Sequence, residues 1–226
     1  MHSRPTLPWE RADDRGPLAA RMAADAARAV VERRYPAGML LTEADLAVAT
    51  GASRTPAREA MLQLEAWGLV RLAPKKGAVV TAVTVEERRD LLAARAMFEI
   101  EAVAVIARGD ADLAALAADI DDSLRRQRTA LERGDLVGFA GGDYAFHARI
   151  IASGGNAVVG RLLDTLGPRL ARLTHEVVLE RPDRLATLLA EHEELAERAG
   201  SGDAVGFAEL VRRHIAAGHF PGAGPA

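Results

Sequence analysis

Residues 53–69 read SRTPAREAMLQLEAWGL, and the fold of the N-terminal third follows from them. Ser53 or Thr55 can cap a helix start, and Pro56 is tolerated in a first helical turn, where its missing N–H costs nothing. Ala60, Met61, Leu64 and Trp67 recur at helical spacing and give one apolar face. Arg54 and Arg58 lie four apart, so both project from the N-terminal end on a single side. A short helix of this kind suits guanine edges or phosphates, which a forked guanidinium grips. Charged faces are also common on plain surface helices, so the flanking sequence has to decide.

Upstream, PLAARMAADAARAVVERR at 17–34 predicts a helix with Leu18, Met22, Ala26 and Val30 along one side. Tyr35-Pro36-Ala37-Gly38 breaks it. Thr42, followed three residues later by Asp45, predicts a capping box opening a two-turn helix that Gly51 ends. Two short helices joined by a glycine-containing turn predict a helix-turn-helix, whose second helix enters the major groove. Downstream, Leu69–Leu72 and Ala78–Val83 are β-prone and flank Pro74-Lys75-Lys76-Gly77, which predicts a two-stranded wing with a basic tip. Lys75 and Lys76 are the only lysines of the chain, placed where they would reach phosphates beside the recognition helix.

At 226 residues the chain is long enough for one large or two modest domains. It is 49% hydrophobic but only 4% aromatic, which favours helix over sheet. With no cysteine, it has no disulfide framework, thiol nucleophile or thiolate metal site. The N-terminus has no apolar core of a signal peptide, and no apolar run approaches the roughly 18 residues of a spanning helix. A cytoplasmic protein without membrane association is expected. The net charge of −3 conceals a split: residues 1–83 hold 12 basic against 9 acidic side chains, and residues 84–226 hold 17 against 23. That asymmetry suits a basic binding module joined to an acidic regulatory one.

From residue 84 onward six helical segments are predicted, at about 85–108, 110–133, 135–152, 156–180, 183–200 and 203–218. Their short Gly- and Asp-containing breaks imply antiparallel neighbours in a bundle. Polar residues interrupt its apolar stripes. Asp143 and His147 lie four apart among Phe139, Phe146 and Ile150; His192 follows Leu185, Leu188 and Leu189; His214 follows Leu210 and Val211. A single inward histidine is usually hydrogen-bonded within a core. Three with a carboxylate would be satisfied together by a divalent cation. Arg95 precedes Glu99 by four residues, on the stripe that continues to Val103 and Ile106. The pair reads as an ordinary helical ion pair, or Arg95 grips a carboxylate ligand in bidentate fashion. His2, His175 and His219 carry no expected role.

Residues 17–83 resemble the winged helix of GntR-family bacterial transcription regulators, through LTEADLAVATGASRTPAREAMLQLEAWGLV at 41–70 and the Lys75-Lys76-Gly77 wing. The resemblance implies that Ser53, Arg54, Thr55 and Arg58 contact DNA, with Lys75, Lys76 and Gly77 at the wing tip. Family members often carry arginine where this chain has Ala44, so operator preference can differ. Residues 85–220 resemble the all-helical FCD effector domain of the FadR-type subgroup, through RAMFE at 95–99, DYAFH at 143–147, SGGN at 153–156, His192 and His214. That resemblance implies a metal held by Asp143, His147, His192 and His214, which helps to hold a small organic acid, with Arg95 on the acid's carboxylate. The donor set suits zinc first, then nickel or manganese.

The expected architecture is mainly α. It comprises a mobile arm (1–16), a winged helix-turn-helix (17–83), an antiparallel six-helix effector bundle (84–220) and a tail (221–226). The expected function is a homodimeric, ligand-responsive transcription regulator, a repressor by expectation, reading an inverted-repeat operator in double-stranded DNA. A metal-sensing regulator and a helix-bundle metalloenzyme are the alternatives.

Overall fold

The computed structural model describes residues 6–11, 16–109 and 113–220. The described residues form two units. One comprises residues 6–84 with 164–172; the other comprises 85–163 with 173–220.

Helix α2 (Leu18–Val31) is the floor of the first unit. Its inner face is almost entirely alanine: Ala23, Ala24, Ala26, Ala27 and Ala29 are buried with Met22, Val30 and Val31. Small side chains let a neighbouring helix approach closely, and α4 (Arg54–Ala66) packs there through Ala57, Ala60, Met61 and Leu64. Between them, α3 (Glu43–Thr50) opens on the predicted capping box: Thr42 Oγ1 accepts from Asp45 N, and Asp45 Oδ2 accepts from Thr42 N. It closes on Gly51 in the left-handed conformation (φ 65°), which favours glycine.

The sheet has three strands rather than the expected two. β2 (Val70–Ala73) and β3 (Gly77–Val80) form the wing hairpin, and β1 (Leu40–Leu41) pairs antiparallel with the other side of β3, giving the order β1-β3-β2. Two residues are too few to show alternation, so β1 left no periodic signal. Within 1–16, read from the sequence as a mobile arm, residues 8–11 form the single-turn helix α1 (Pro8–Arg11), and Leu7 is buried. The rest of that segment except Thr6 and Gly16, with His2, and the tail at 221–226 lie outside the described residues.

The second unit holds α5 (Val85–Ala107), α6 (Leu113–Arg133), α7 (Leu136–Ser153), α9 (Leu185–Ser201), α10 (Ala204–His219) and much of α8 (Ala157–Glu180), with a short 3₁₀ turn at Pro182–Arg184 before α9. α7 packs on α5 and α6; α9 packs on α6, α10 and α5; α10 packs on α5. The sequence suggested one apolar stripe on α7, but the helix is buried all round from Gly142 to Ile151. Its small residues make this possible. A Cβ on Gly142 would stand 2.8 Å from Gln127 Cγ of α6, and one on Gly154, just past the helix, 2.9 Å from Ala102 Cα of α5. Among the described residues no helix is long and apolar enough to cross a membrane.

Candidate functional site

In the first unit, α4 and the wing enclose a groove of about 780 Å³. Arg54 and Arg58 line it from α4; Lys75, Lys76 and Gly77 line it from the wing; Ala44 lines it from α3. Ser53, Thr55 and both arginines are exposed. Ser53 occupies the N-cap position of α4, but its side chain makes no capping hydrogen bond. Its hydroxyl therefore has no structural duty at a helix N-terminus, where backbone N–H groups already favour anions.

The wing tip is set by backbone geometry. Lys75 adopts φ 62° and Gly77 φ 114°. A Cβ on Gly77 would lie 2.2 Å from the Leu41 carbonyl oxygen of β1. Glycine at 77 is what allows β1 to close on β3.

In the second unit the polar residues that interrupted the apolar stripes converge. The rings of His147, His192 and His214 form a near-equilateral triangle, with centroids 5.1, 5.2 and 4.9 Å apart. One ligand nitrogen from each lies within 4.8 Å of the other two. Asp143 Oδ1 stands 3.6 Å from His147 Nε2, and its Oδ2 3.8 Å from His192 Nε2. Phe146 stacks on His192 with centroids 4.8 Å apart, fixing that ring from one face.

Each imidazole is also held from behind. His147 Nδ1 is 2.9 Å from Glu99 Oε2, His192 Nδ1 is 2.7 Å from Gln127 Oε1, and His214 Nδ1 is 2.6 Å from Glu191 Oε2. Nε2 of His147 and of His192 is buried with no hydrogen-bond partner. Buried nitrogens left open are uncommon. A ring whose Nδ1 meets an acceptor while Nε2 stays open is the arrangement that presents a lone pair to a metal. The three histidines are therefore placed as a cation would need them, with the Asp143 carboxyl beside two of their open nitrogens.

Arg95 is 4% exposed and stands 3.1 Å from Glu99 Oε1, which is wholly buried. The N–H is not directed onto that oxygen: Arg95 Nε and Nη2 and Glu99 Oε1 all lack a hydrogen-bond partner. Arg95 is thus an i,i+4 neighbour of Glu99 and an inward guanidinium with unused donors.

Burial dominates the electrostatics. It pushes Glu99 up to about 7 and Asp143 up to about 6, against the pull of Arg95. It holds His147 and His192 well below the ordinary imidazole range, reinforced by the Arg95 charge. Both imidazoles are consequently neutral near pH 7, the form that binds metal.

Residues 90–217 match the FCD domain, and residues 18–80 match the family described as bacterial regulatory proteins, gntR family. The chain belongs to the GntR family. An uncharacterized HTH-type transcriptional regulator in the TAR-I ttuE-ttuC' intergenic region of Agrobacterium vitis is 35% identical over 119 residues, covering 52% of this chain and 70% of that protein. The uncharacterized HTH-type transcriptional regulator BphR of Paraburkholderia xenovorans (strain LB400) is 30% identical over 191 residues, covering 82% and 77%. The fold recurs in E. coli McbR/YncC, with a TM-score of 0.75 at 20% identity over 88% of this chain and 94% of that one. It recurs too in a putative transcriptional regulator GntR from Rhodococcus sp. RHA1, with a TM-score of 0.73 at 19% identity over 87% and 93%. The protein is a GntR-family helix-turn-helix transcriptional regulator with an FCD domain, and its relatives are regulators rather than enzymes.

In this GntR regulator the seven residues expected at DNA lie on α4, at its N-cap and at the wing tip, and five of them line one groove. The four expected metal holders and Arg95 share one buried cluster. Sequence reasoning missed Gln127 and Glu191, and it weighed Glu99 only as the partner of Arg95. His175, given no role, is buried on α8, and His219 has a buried Nδ1 without a hydrogen-bond partner.

Burial of the Asp143 carboxyl makes the stability of the metal-free protein depend on pH. The carboxyl's folded value of about 6 lies above the ordinary 3.8, so in metal-free protein its charge costs stability increasingly as pH rises through about 6. Asp143→Asn removes that cost. Chelator-treated Asp143→Asn should be more stable than wild type by about 2–3 kcal/mol at pH 8, with the difference vanishing near pH 4. Thermal melts at the two pH values check it, and equal melting temperatures at pH 8 would sink it.

Proposed function

We propose that this GntR regulator senses a small organic or sugar acid at a metal held by Asp143, His147, His192 and His214, and that acid binding alters its grip on operator DNA. The observation that carries this reading is the pair of open nitrogens, His147 Nε2 and His192 Nε2, beside Asp143 and the unused donors of Arg95. A divalent cation held there would supply positive charge that favours a carboxylate. Arg95 has unpaired N–H groups to offer such a carboxylate in a charge-assisted hydrogen bond. Glu99, Gln127 and Glu191 keep the imidazoles oriented, and Phe146 excludes water from the His192 face.

On the DNA side, Arg54 and Arg58 would meet base edges or phosphates from the major groove, while Lys75 and Lys76 reach the flanking backbone. A single winged helix makes few base contacts, so a homodimer on an inverted repeat supplies the specificity. Repression is the expected polarity. Arg58→Ala should lose about 1–3 kcal/mol of operator affinity if it reads a base pair; an operator isotherm identical to wild type would refute that role.

The enclosure of the cluster favours one second reading, in which the cation itself is the signal. A side chain as buried as His192 or Glu99 (each 0% exposed) suits a retained or sensed ion as well as a neighbour to an exchanging acid. Operator DNA selected from random sequence can be titrated with metal-loaded protein, chelator-treated protein, and loaded protein with a panel of organic and sugar acids. An acid that shifts operator affinity about 5- to 150-fold supports the proposal, because it must bind the two states differently. A full shift on chelation alone, with no response to any acid, assigns the metal-sensing role. No shift in any arm overturns both.

A further inference from the structure

Gln127 lies on α6, a helix whose sequence around it, DSLRRQRTALER at 122–133, is strongly polar. Its side chain is nevertheless 0% exposed. The two ends of its amide have different partners: Nε2 donates to the Gly142 carbonyl oxygen of α7 at 3.3 Å, and Oε1 faces His192 Nδ1 of α9 at 2.7 Å. A backbone carbonyl can only accept. The amide is therefore fixed with its NH₂ on Gly142 and its oxygen on His192, since a flipped amide would set two acceptors against each other. An oxygen at 2.7 Å requires a proton on His192 Nδ1. A neutral imidazole carries one N–H, so His192 Nε2 must be the lone pair.

We infer that Gln127 is a positioning residue that locks His192 in the tautomer presenting Nε2 to the bound cation, and that Gly142 is the clearance that lets it do so. This rests on the metal-site reading above. The lock differs in kind from those on the other two rings. Glu99 Oε2 and Glu191 Oε2 face Nδ1 of His147 and His214, and a carboxyl group has no N–H end to fix what it offers the ring. The Gln127 amide has one donor end and one acceptor end, and the Gly142 carbonyl decides which of them faces His192. Gly142 is part of the device because a Cβ there would stand 2.8 Å from Gln127 Cγ, forcing the amide away from either partner.

The test uses the full-length chain. Long-range ¹H–¹⁵N correlation spectra of the histidine rings, recorded on chelator-treated protein, report each tautomer directly. Zinc titration against a competing chelator reports affinity. In wild type, His192 should be protonated at Nδ1 and open at Nε2. In Gln127→Met, which keeps the volume and removes the amide, the His192 signal should average between tautomers. Zinc affinity should fall about 10- to 100-fold, the usual effect of losing an outer partner, and thermal melts should show the variant folded. Wild-type protein with His192 protonated at Nε2 overturns the inference without recourse to any variant. A folded Gln127→Met that keeps both the tautomer and the affinity overturns it too. Wild-type protein that shows the expected tautomer but takes up no zinc sustains the lock and refutes the metal-site reading beneath it.

Discussion

Replacing His192 with alanine is expected to abolish stoichiometric metal retention and the response to acid while leaving basal operator binding close to wild type. His192 contributes one of the two open, fully buried nitrogens, and its loss also strands the Gln127 oxygen that accepts from it. Loss of a direct ligand should exceed the roughly 10- to 100-fold drop in affinity that loss of an outer partner causes. Phe146 would lose its stacking partner as well, so some loss of stability accompanies the loss of metal. The residues expected at DNA all belong to the unit formed by 6–84 and 164–172, which has its own core around Met22, Ala57, Met61 and Leu64. Metal content by elemental analysis and an operator isotherm on the same preparation check both halves. Retained metal would remove His192 from the site.

Gly77→Ala should damage the DNA-binding unit far more than loss of either wing lysine. Gly77 sits at φ 114°, where L side chains rarely go, and the new Cβ would meet the Leu41 carbonyl oxygen at 2.2 Å. A strained backbone conformation costs about 1–3 kcal/mol and an overpacked contact about as much again, together about 2–6 kcal/mol. The obstacle is backbone, which cannot swing aside, so β1 must separate from β3 or the hairpin must deform. Lys76→Ala, by contrast, would remove at most one phosphate contact: if Lys76 meets the DNA backbone as proposed, the substitution should weaken operator binding across all sequences and lower the salt slope by about one. If Gly77→Ala melts and binds like Lys76→Ala, the glycine acts only through DNA and the strained closure plays no part.

Much of the DNA-binding unit was legible because its signals are local. The Thr42–Asp45 box, the Gly51 stop, the face on Ala60, Met61 and Leu64, and the Lys-Lys-Gly tip each occupy a few adjacent residues. β1 was not legible, since Leu40 and Leu41 become a strand only by pairing with Val79 and Ala78, almost forty residues away. The inward histidines were legible because a polar residue on an apolar stripe is conspicuous. Their supports were not. Gln127 sits among arginines and reads as surface, and Glu191 reads as one more acid in AEHEELAER. Their roles arise only when α6, α9 and α10 meet. Burial of α7 on every side was hidden in the same way, because its Ala and Gly residues look neutral until Gln127 and neighbouring backbone are seen to need the space.

If the buried histidine–aspartate cluster holds a metal as proposed, the purified protein should carry it. Elemental analysis of the purified full-length protein should give one divalent ion per chain, zinc first among the candidates. The ion should be lost from His147→Ala and His192→Ala protein that remains folded by thermal melting. Wild-type protein that carries no stoichiometric metal, and takes none up on reconstitution with zinc, nickel or manganese, would contradict the account.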